Sequence, residues 1–388
     1  MARKAGGLSF VPTTTLTRNW PAVVSVMMGI FSIVTTEILP IGLLTSIGSS
    51  FEISEGAAGL MMTLPGILAA ISAPVLTAAT GRLDRRTMLC ALMFVLAVAD
   101  FLAAAAPNYW VMLFSRFLVG LVIGGFWSIG SGLAARLVSR ESVGRATSVI
   151  FSAVPLGSVL GVPAGTFIGE AAGWRSAFAA MGLLTFAVLA ALLWWMPPLP
   201  AIQVTRLGVL RELLRQRTVR LGIAVTALVV TAHFATYTYV TPFLQEVTRT
   251  NAVTLFLIAY GVAGVVGNFL SGISPRTFAI SGLLIAFATL SLPVAGSSEI
   301  GAFALLVLWG IGYGAVPACS QKWFAAAAPN APEAATVLFT SSFQAMLSAG
   351  ALLGGLVVDA TSTATVMTLG GVVALVMVAV LLLADRRT

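Results

Sequence analysis

The sequence is dominated by twelve apolar runs, each long enough to cross a lipid bilayer. A helix needs about 20 predominantly apolar residues to span the hydrocarbon core. Only 9% of the residues are charged, whereas soluble proteins carry about 25%. The fold class is therefore predicted to be an all-α polytopic membrane protein with twelve transmembrane helices. The runs lie at roughly 20–45, 56–79, 88–106, 110–134, 147–169, 176–196, 221–244, 253–272, 277–294, 300–322, 334–357 and 363–384.

The basic residues lie almost entirely on one side of the predicted membrane. Of the 21 Lys and Arg residues, 18 fall in the terminal segments or in connections on the side of the termini. Arg175 and Arg249 fall on the other side, and Arg116 lies within a run. Because cytoplasmic loops carry an excess of Lys and Arg, both termini are predicted to be cytoplasmic. The net charge of +8 is thus a topology signal, and no nucleic-acid partner is expected.

The longest polar interruption divides the chain into two halves of six spans. We predict an N-terminal six-helix bundle (1–196), a cytoplasmic linker (197–220) and a C-terminal six-helix bundle (221–388). The linker fits an amphipathic surface helix or a plain tether equally well.

A weak internal repeat relates the two halves. Two parallel repeats with interrupted helices indicate a transporter with a site near the membrane midplane. The corresponding stretches are Thr36-Glu37-Ile38-Leu39-Pro40 with Thr238-Tyr239-Val240-Thr241-Pro242, and Gly157-x-x-x-Gly161 with Gly350-x-x-x-Gly354.

Glu37 is the only charged residue in the first apolar run. A charge inside a span costs at least about 2.5 kcal/mol, so it is kept where it is paired, protonated or lining a wet cavity. Pro40 follows three residues later and removes a backbone donor next to the carboxylate. Glu37 is therefore a candidate proton-coupling acid. The alternative is an acid near the helix end that reaches the headgroups.

Asp100, Arg116 and His233 are the other strongly ionisable residues within the runs, and they complete the proton-coupling candidates. By residue count, Glu37, Asp100 and Arg116 share the outer half of the membrane. The arginine could neutralise one carboxylate while the other takes up a proton. Arg116 could instead snorkel outward. His233 could carry a proton or serve as a hydrogen-bonding core residue.

A second set of polar and aromatic residues within the runs supplies candidates for a substrate cavity. Aromatic rings could stack on a solute, and amides could bind it. Their alternative roles are packing and interhelical hydrogen bonding. The candidates are Thr36, Trp127, Tyr237, Tyr239, Asn268, Tyr313 and Gln344.

The sequence lacks the motifs of ATP-driven pumps and of hydrolytic enzymes. It contains no nucleotide-binding loop, no His-Glu-x-x-His, no Gly-x-Ser-x-Gly and no Cys-x-x-Cys. Its two cysteines, Cys90 and Cys319, lie in apolar runs, and His233 is its single histidine. We therefore expect no enzymatic activity, no metal site and no cofactor.

Several stretches together resemble the major facilitator superfamily, in its twelve-span drug:proton antiporter branch. The likeness extends over almost the whole chain and is greatest to sugar efflux and purine ribonucleoside efflux members. The stretches are Thr36-Glu37-Ile38-Leu39-Pro40-Ile41-Gly42-Leu43-Leu44, Gly125-Phe126-Trp127-Ser128, Gly173-Trp174-Arg175-Ser176-Ala177-Phe178 and Ala232-His233-Phe234-Ala235-Thr236-Tyr237-Thr238-Tyr239.

Three motifs of that family carry over by position. Gly81-Arg82-Leu83-Asp84-Arg85-Arg86 resembles a shortened inner-gate motif, which implies that Asp84 sits near the start of span 11 at Pro332-Glu333. Arg116-x-x-x-Gly120 resembles the span-four motif implicated in proton coupling. Gly157-x-x-x-Gly161-Val162-Pro163-x-Gly165 resembles the span-five antiporter motif, with one residue inserted before the proline; simple helix packing is the alternative.

The resemblance implies proton-coupled efflux of a small polar or amphipathic solute, such as a sugar or nucleoside, by alternating access. It also implies a monomer in the bacterial inner membrane, with the proton gradient as energy source. Multidrug efflux and an uncoupled, channel-like uniporter are the alternatives. A transport-dead sensor would bind solute without moving it.

Overall fold

The computed structural model describes residues 19–79, 83–130, 133–200, 207–248, 253–270, 275–329 and 331–385. These residues contain twelve helices that are long and apolar enough to cross a membrane, which confirms the predicted fold class. We number them as spans 1 to 12. The terminal face is the side where span 1 begins and span 12 ends, and the distal face is the opposite side.

Most spans are single helices. Spans 1 to 4 are Trp20–Phe51, Glu55–Ala79, Arg85–Ala104 and Tyr109–Gly130. Span 5 joins Val143–Phe151, Ala153–Leu156, a π-helical turn Gly157–Gly161, and Val162–Ala172. Spans 6 to 9 are Trp174–Trp195, Arg217–Tyr237 with its continuation Val240–Thr248, Val253–Leu270, and Pro275–Ala295. Spans 10 to 12 are Glu299–Gly314 with Val316–Ala327, Pro332–Ala360, and Thr363–Asp385. Short helices Ala134–Leu137, Arg140–Ser142 (3-10) and Leu207–Leu213 lie between spans.

Prolines follow the interruptions in spans 5, 7 and 10. A proline has no backbone N–H and its ring clashes with the preceding turn, so it favours the start of a helical segment. Pro163 lies in the first turn after the π-helical turn, and Pro317 lies in the first turn of the second part of span 10. Span 7 breaks at Thr238 and Tyr239, just before Pro242.

The glycines of the internal repeat bring two pairs of spans into close contact. A Cβ atom on Gly161 would lie 2.1 Å from Thr35 Oγ1 of span 1. A Cβ on Gly354 of span 11 would lie 2.4 Å from the carbonyl oxygen of Ala235 in span 7. Span 5 therefore packs on span 1 as span 11 packs on span 7. The weak sequence repeat thus has a structural counterpart.

The span-five motif serves this packing along its whole length. A Cβ on Gly157 would lie 3.0 Å from Val34 Cγ1, and one on Gly165 would lie 2.2 Å from Leu39 Cδ1. Small residues at this spacing let helix backbones approach closely. The motif thus holds span 5 against the part of span 1 that carries Glu37.

Part of the linker is a helix. Leu207–Leu213 lies at the terminal face, where Leu213 is buried with Val219, Phe324 and Leu338. Of the two alternatives left by the sequence, the structure therefore shows a short helix with an apolar side against the bundle. Residues 201–206 lie outside the described residues, and the division into two bundles at 197–220 stays a prediction.

The inner-gate motif contacts its own half of the chain. Gly81 lies outside the described residues. Asp84 caps span 3 by accepting a hydrogen bond from the Thr87 backbone N–H at 3.2 Å. Arg86 donates to the carbonyl of Leu193 at 2.6 Å, and the Arg85 backbone N–H donates to that of Leu199 at 2.8 Å. The hydrogen bond that the structure shows for Asp84 is to its own helix, and the expected place of Asp84 near the start of span 11 stays a prediction.

Candidate functional site: a central cavity

A cavity of about 200 Å³ lies between the two halves of the chain. It extends from Glu37 in the middle of span 1 toward the terminal face, where Trp127, Asn268 and Gln321 line it. Seven of the residues predicted from the sequence line this cavity: Glu37, Trp127, His233, Tyr237, Asn268, Tyr313 and Gln344. The sequence therefore placed residues from spans 1, 4, 7, 8, 10 and 11 around one space.

Glu37 joins the two halves at this cavity. The residue is 6% exposed, and its carboxylate accepts a hydrogen bond from Gln344 Nε2 at 2.9 Å. Gln344 belongs to span 11, so the bond crosses from the N-terminal to the C-terminal half. Gln344 thus both links two helices and lines the cavity, the two roles that are open to it from the sequence. The alternative of a headgroup-reaching acid does not fit the buried position of Glu37.

Arg116 replaces a backbone hydrogen bond that Pro40 removes from span 1. Because proline lacks an N–H, the carbonyl four residues earlier, at Thr36, loses its helical donor. Arg116 Nη2 donates to this carbonyl oxygen at 2.7 Å. Arg116 is fully buried and does not snorkel to the surface. A side chain of span 4 thus supplies the donor that the backbone of span 1 lacks, one residue before Glu37.

Asp100 completes a buried cluster that we define as Thr36, Asp100, Arg116 and Thr185. Asp100 Oδ2 accepts from the hydroxyls of Thr36 at 3.3 Å and Thr185 at 3.2 Å. Arg116 interacts electrostatically with Asp100 and, less strongly, with Glu37. That Arg116 neutralises one of these carboxylates while the other takes up a proton stays a prediction. Thr36 does not line the cavity, contrary to expectation, because its hydroxyl points to Asp100.

His233 lies in an aromatic setting in the cavity wall. It is buried, and Trp309 Nε1 donates to its Nδ1 at 3.1 Å. Its Nε2 lies 3.4 Å from the Tyr260 hydroxyl. Its ring stacks on Tyr313 with centroids 3.3 Å apart and on Tyr237 with centroids 5.0 Å apart. These bonds fit the hydrogen-bonding interpretation that the sequence left open.

Tyr239 does not line the cavity, which corrects its predicted role. Its side chain is fully buried and donates to the carbonyl of Ala351 at 2.8 Å. The break in span 7 at Thr238 turns Tyr239 away from the face that carries His233 and Tyr237. It lies instead against Gly59 and Gly355, where a Cβ atom would meet its hydroxyl.

Tyr260, Trp309 and Gln321 were missed by sequence reasoning. Tyr260 and Gln321 line the cavity, and Trp309 lies behind it. Each stands in an apolar run without a motif around it. The available signal was spacing. Trp309 and Tyr313, which both contact His233, are four residues apart and therefore lie on the same face of span 10.

Hydrogen bonds between the halves close the distal face. Asp359, near the end of span 11, accepts from Ser54 Oγ at 2.7 Å and from the Gly56 N–H at 2.9 Å. The carboxylate therefore caps the start of span 2, where negative charge is favoured. Thr241 donates to the carbonyl of Ile41 at 2.8 Å, which joins the two repeated segments. The cavity is thus separated from the distal face.

We expect Asp359→Ala to open the distal face more often. The change removes two hydrogen bonds to a carboxylate, each worth about 1.5–3 kcal/mol in general. A cysteine introduced at Leu347, in the cavity wall, should then react about tenfold faster with an impermeant maleimide applied to the distal side. Glu299→Gln, an exposed acid at the same face, is the matched control. Equal labelling rates in both variants would show that Asp359 does not hold the distal face closed.

Comparisons with known proteins agree with this architecture. The sequence profile of the Major Facilitator Superfamily matches residues 24–330. The transcription regulatory protein OpdE of Pseudomonas aeruginosa is 33% identical, with 88% of each chain covered. A probable sugar efflux transporter of Helicobacter pylori is 31% identical, covering 88% of this chain and 89% of that one. The purine ribonucleoside efflux pump NepI of Salmonella paratyphi A is 30% identical, with 88% of each covered.

Two solved structures share the fold. The human organic anion transporter MFSD10 has a TM-score of 0.71 at 17% identity, covering 94% of this chain and 99% of that one. A bacterial homologue of the human lysosomal transporter Spinster, in an inward-facing and occupied conformation, has a TM-score of 0.72 at 15% identity. That match covers 95% of this chain and 96% of that one.

Proposed function

The chain belongs to the Major Facilitator Superfamily of membrane transporters, and from this premise we propose that it exports a small polar or amphipathic solute in exchange for protons. No enzymatic family is indicated by its relatives. Two of these relatives are named as efflux proteins, one for sugars and one for purine ribonucleosides. Export of a solute of this kind is the activity that we assign to the central cavity.

The hydrogen bond between Glu37 and Gln344 carries the proposal. It places a protonatable group in the cavity and, at the same time, on the contact between the two halves. An ionised carboxylate is costly in a closing, water-poor cavity. The two halves would therefore move to open the cavity to the other side of the membrane only when Glu37 has bound a proton or contacts a solute. Proton and solute then compete for one site, which is the requirement for antiport.

The buried cluster supports the role of Glu37 as the exchanging acid. Arg116 and Asp100 are fully buried behind Thr36, whereas Glu37 lines the cavity. Arg116, which interacts more strongly with Asp100 than with Glu37, would neutralise Asp100, and Glu37 would then be left to bind and release the proton. Asp100 and Arg116 would thus influence Glu37 indirectly, through the backbone of Thr36 and through electrostatic interaction.

The direction of transport follows from the proposed topology. The bias of Lys and Arg toward the terminal face favours a cytoplasmic position for both termini in the bacterial inner membrane. The cavity extends toward that face, so solute would enter from the cytoplasm. Protons would bind Glu37 from the outside and be released inside. Each proton would contribute about 1.4 kcal/mol per pH unit and about 2.3 kcal/mol per 100 mV.

The chemistry of the cavity wall favours an uncharged solute. Among the described lining residues, Glu37 is the only Asp, Glu, Lys or Arg. The remaining polar groups are amides, hydroxyls and His233, and aromatic rings cover much of the wall. Multidrug efflux remains the main rival within transport.

Reconstituted proteoliposomes test the proposal. We expect an imposed pH gradient to drive accumulation of an exported solute, identified by a metabolite and antibiotic export screen, and a proton ionophore to abolish that accumulation. Flux that is indifferent to the ionophore would instead indicate a uniporter. Solute binding without any flux would indicate a sensor, a possibility raised by the relative named as a regulatory protein.

A further inference from the structure

Four rings with nearly parallel planes line one side of the cavity. They belong to His233, Tyr237, Tyr260 and Tyr313. The plane of His233 is tilted from those of Tyr313, Tyr260 and Tyr237 by 8°, 15° and 20°. Trp309 stands edge-on behind them, at 76° to the histidine. We call these four rings the aromatic platform.

The bonds of His233 fix it as a neutral ring. An indole N–H can only donate a hydrogen bond, so the Nδ1 atom that faces Trp309 carries no proton. The proton of the neutral imidazole then lies on Nε2, directed at the Tyr260 hydroxyl. A doubly protonated imidazole would turn an N–H toward the Trp309 N–H. The geometry therefore opposes a role for His233 as a proton carrier.

His233 also fixes the ring of Tyr313. The two rings are stacked with centroids 3.3 Å apart, and the histidine cannot rotate without losing its bond to Trp309. Phe234 meets Tyr313 edge-on at 5.9 Å and limits its sideways movement. His233, Tyr237 and Tyr260 are buried, whereas Tyr313 is partly exposed. Tyr313 is therefore the ring that is presented to a solute.

We propose that the aromatic platform binds the planar heteroaromatic ring of an uncharged solute by stacking on Tyr313, and that His233 is a positioning residue for Tyr313. This inference rests on the transport function proposed above and names the chemical class of its solute. Stacking of a flat ring on an aromatic side chain contributes about 1–3 kcal/mol and tolerates different ring substituents. Glu37 and Gln344, next to the platform, would bind polar groups at the edge of the ring.

Three probes separate the ring of a solute from its sugar: adenine, ribose and adenosine. Binding to the purified protein in detergent is measured by equilibrium dialysis, and flux in proteoliposomes with and without a pH gradient. We expect adenine and adenosine to bind and ribose to bind at least tenfold more weakly. Binding of ribose but not adenine, or of neither ring-bearing probe, would overturn the proposal.

Paired variants test the two roles. Tyr313→Phe keeps the ring and should leave the Kd for adenine within about twofold, whereas Tyr313→Leu should raise it about tenfold, within the range for ring stacking. His233→Asn keeps an acceptor for Trp309 but removes the stacked ring, and His233→Phe does the reverse. Both should raise the Kd for adenine and leave the pH dependence of transport unchanged.

Outcomes for the platform and for proton coupling are distinguishable. An altered pH profile in both His233 variants would make His233 a proton carrier and would overturn its positioning role. Equal weakening of adenine and ribose by Tyr313→Leu would overturn the stacking role. Ring-selective binding with flux that ignores the pH gradient would contradict only the antiport function.

Discussion

Glu37→Gln is expected to reduce solute accumulation driven by a pH gradient to the level of empty liposomes. Glutamine has nearly the shape of a protonated glutamate but cannot release a proton. It can keep a hydrogen bond with Gln344, which now lies 2.9 Å from the carboxylate. The two halves should therefore still open the cavity to each side of the membrane in turn. Solute exchange between equal concentrations on the two sides should continue. The variant should separate movement of solute from coupling to protons.

The matched control is Glu141→Gln, an exposed carboxylate in the connection between spans 4 and 5. It removes the same charge from the terminal face and should leave accumulation unchanged. Thermal unfolding in detergent would establish that both variants fold. Wild-type accumulation by Glu37→Gln would eliminate Glu37 as the coupling acid. Loss of exchange together with accumulation would indicate a structural role.

Arg116→Ala is expected to be the most destabilising single change in the buried cluster. It removes the buried positive charge that acts electrostatically on Asp100, and it leaves the Thr36 carbonyl without a donor. Removing one member of a buried charge pair costs about 3–5 kcal/mol. The free energy of unfolding, measured in mixed detergent and denaturant, should fall by about this amount. Arg116→Lys keeps the charge without the planar donor group, so its free energy of unfolding should fall less. This leaves a folded variant to measure.

Pro40→Ala provides the specific test of the bond to Thr36. Alanine restores the backbone N–H that can donate to the carbonyl four residues earlier. Pro40→Ala should therefore reduce the cost of Arg116→Lys or Arg116→Ala, with a coupling free energy of about 1–2 kcal/mol. Asp100→Asn should reduce the remaining cost by removing the uncompensated charge. Strict additivity of Pro40→Ala and the Arg116 changes would mean that the arginine does not serve this carbonyl.

The sequence was sufficient for the fold because the relevant signals are local. Each span is a long apolar run, and Glu37, Asp100 and Arg116 are conspicuous because charges are rare in such runs. Residue counts along neighbouring spans placed these three at similar depth. The spacing of Gly157 and Gly161 likewise indicates close packing of two helices.

Side-chain direction could not be predicted in the same way. Tyr239 was placed in the cavity because the repeat aligned it with Glu37, but the break at Thr238 changes the face of the helix on which it lies. The link from Arg116 to the carbonyl of Thr36 depends on how span 4 packs on span 1. Tyr260 carried no signal, because a lone tyrosine in an apolar run looks like a packing residue.

Asp84 shows a related limit. The motif around it implies a contact with the other half of the chain, which stays a prediction, and the bond that the structure shows for its carboxylate is the cap on its own span. Hydrogen bonds between the two halves lie at the distal face, where Asp359 caps span 2. A motif indicates which residues form a gate in some state of a transporter. The packing of the two halves decides which gate is formed in the structure at hand.

Proton movement driven by a solute gradient tests the central claim most directly. Proteoliposomes that enclose a pH-sensitive dye are loaded with an exported solute and diluted into solute-free buffer. If proton and solute exchange at Glu37, the lumen acidifies as solute leaves, in wild type and in Glu141→Gln but not in Glu37→Gln. Acidification of equal size in Glu37→Gln, or solute efflux from wild type without acidification, would contradict the account.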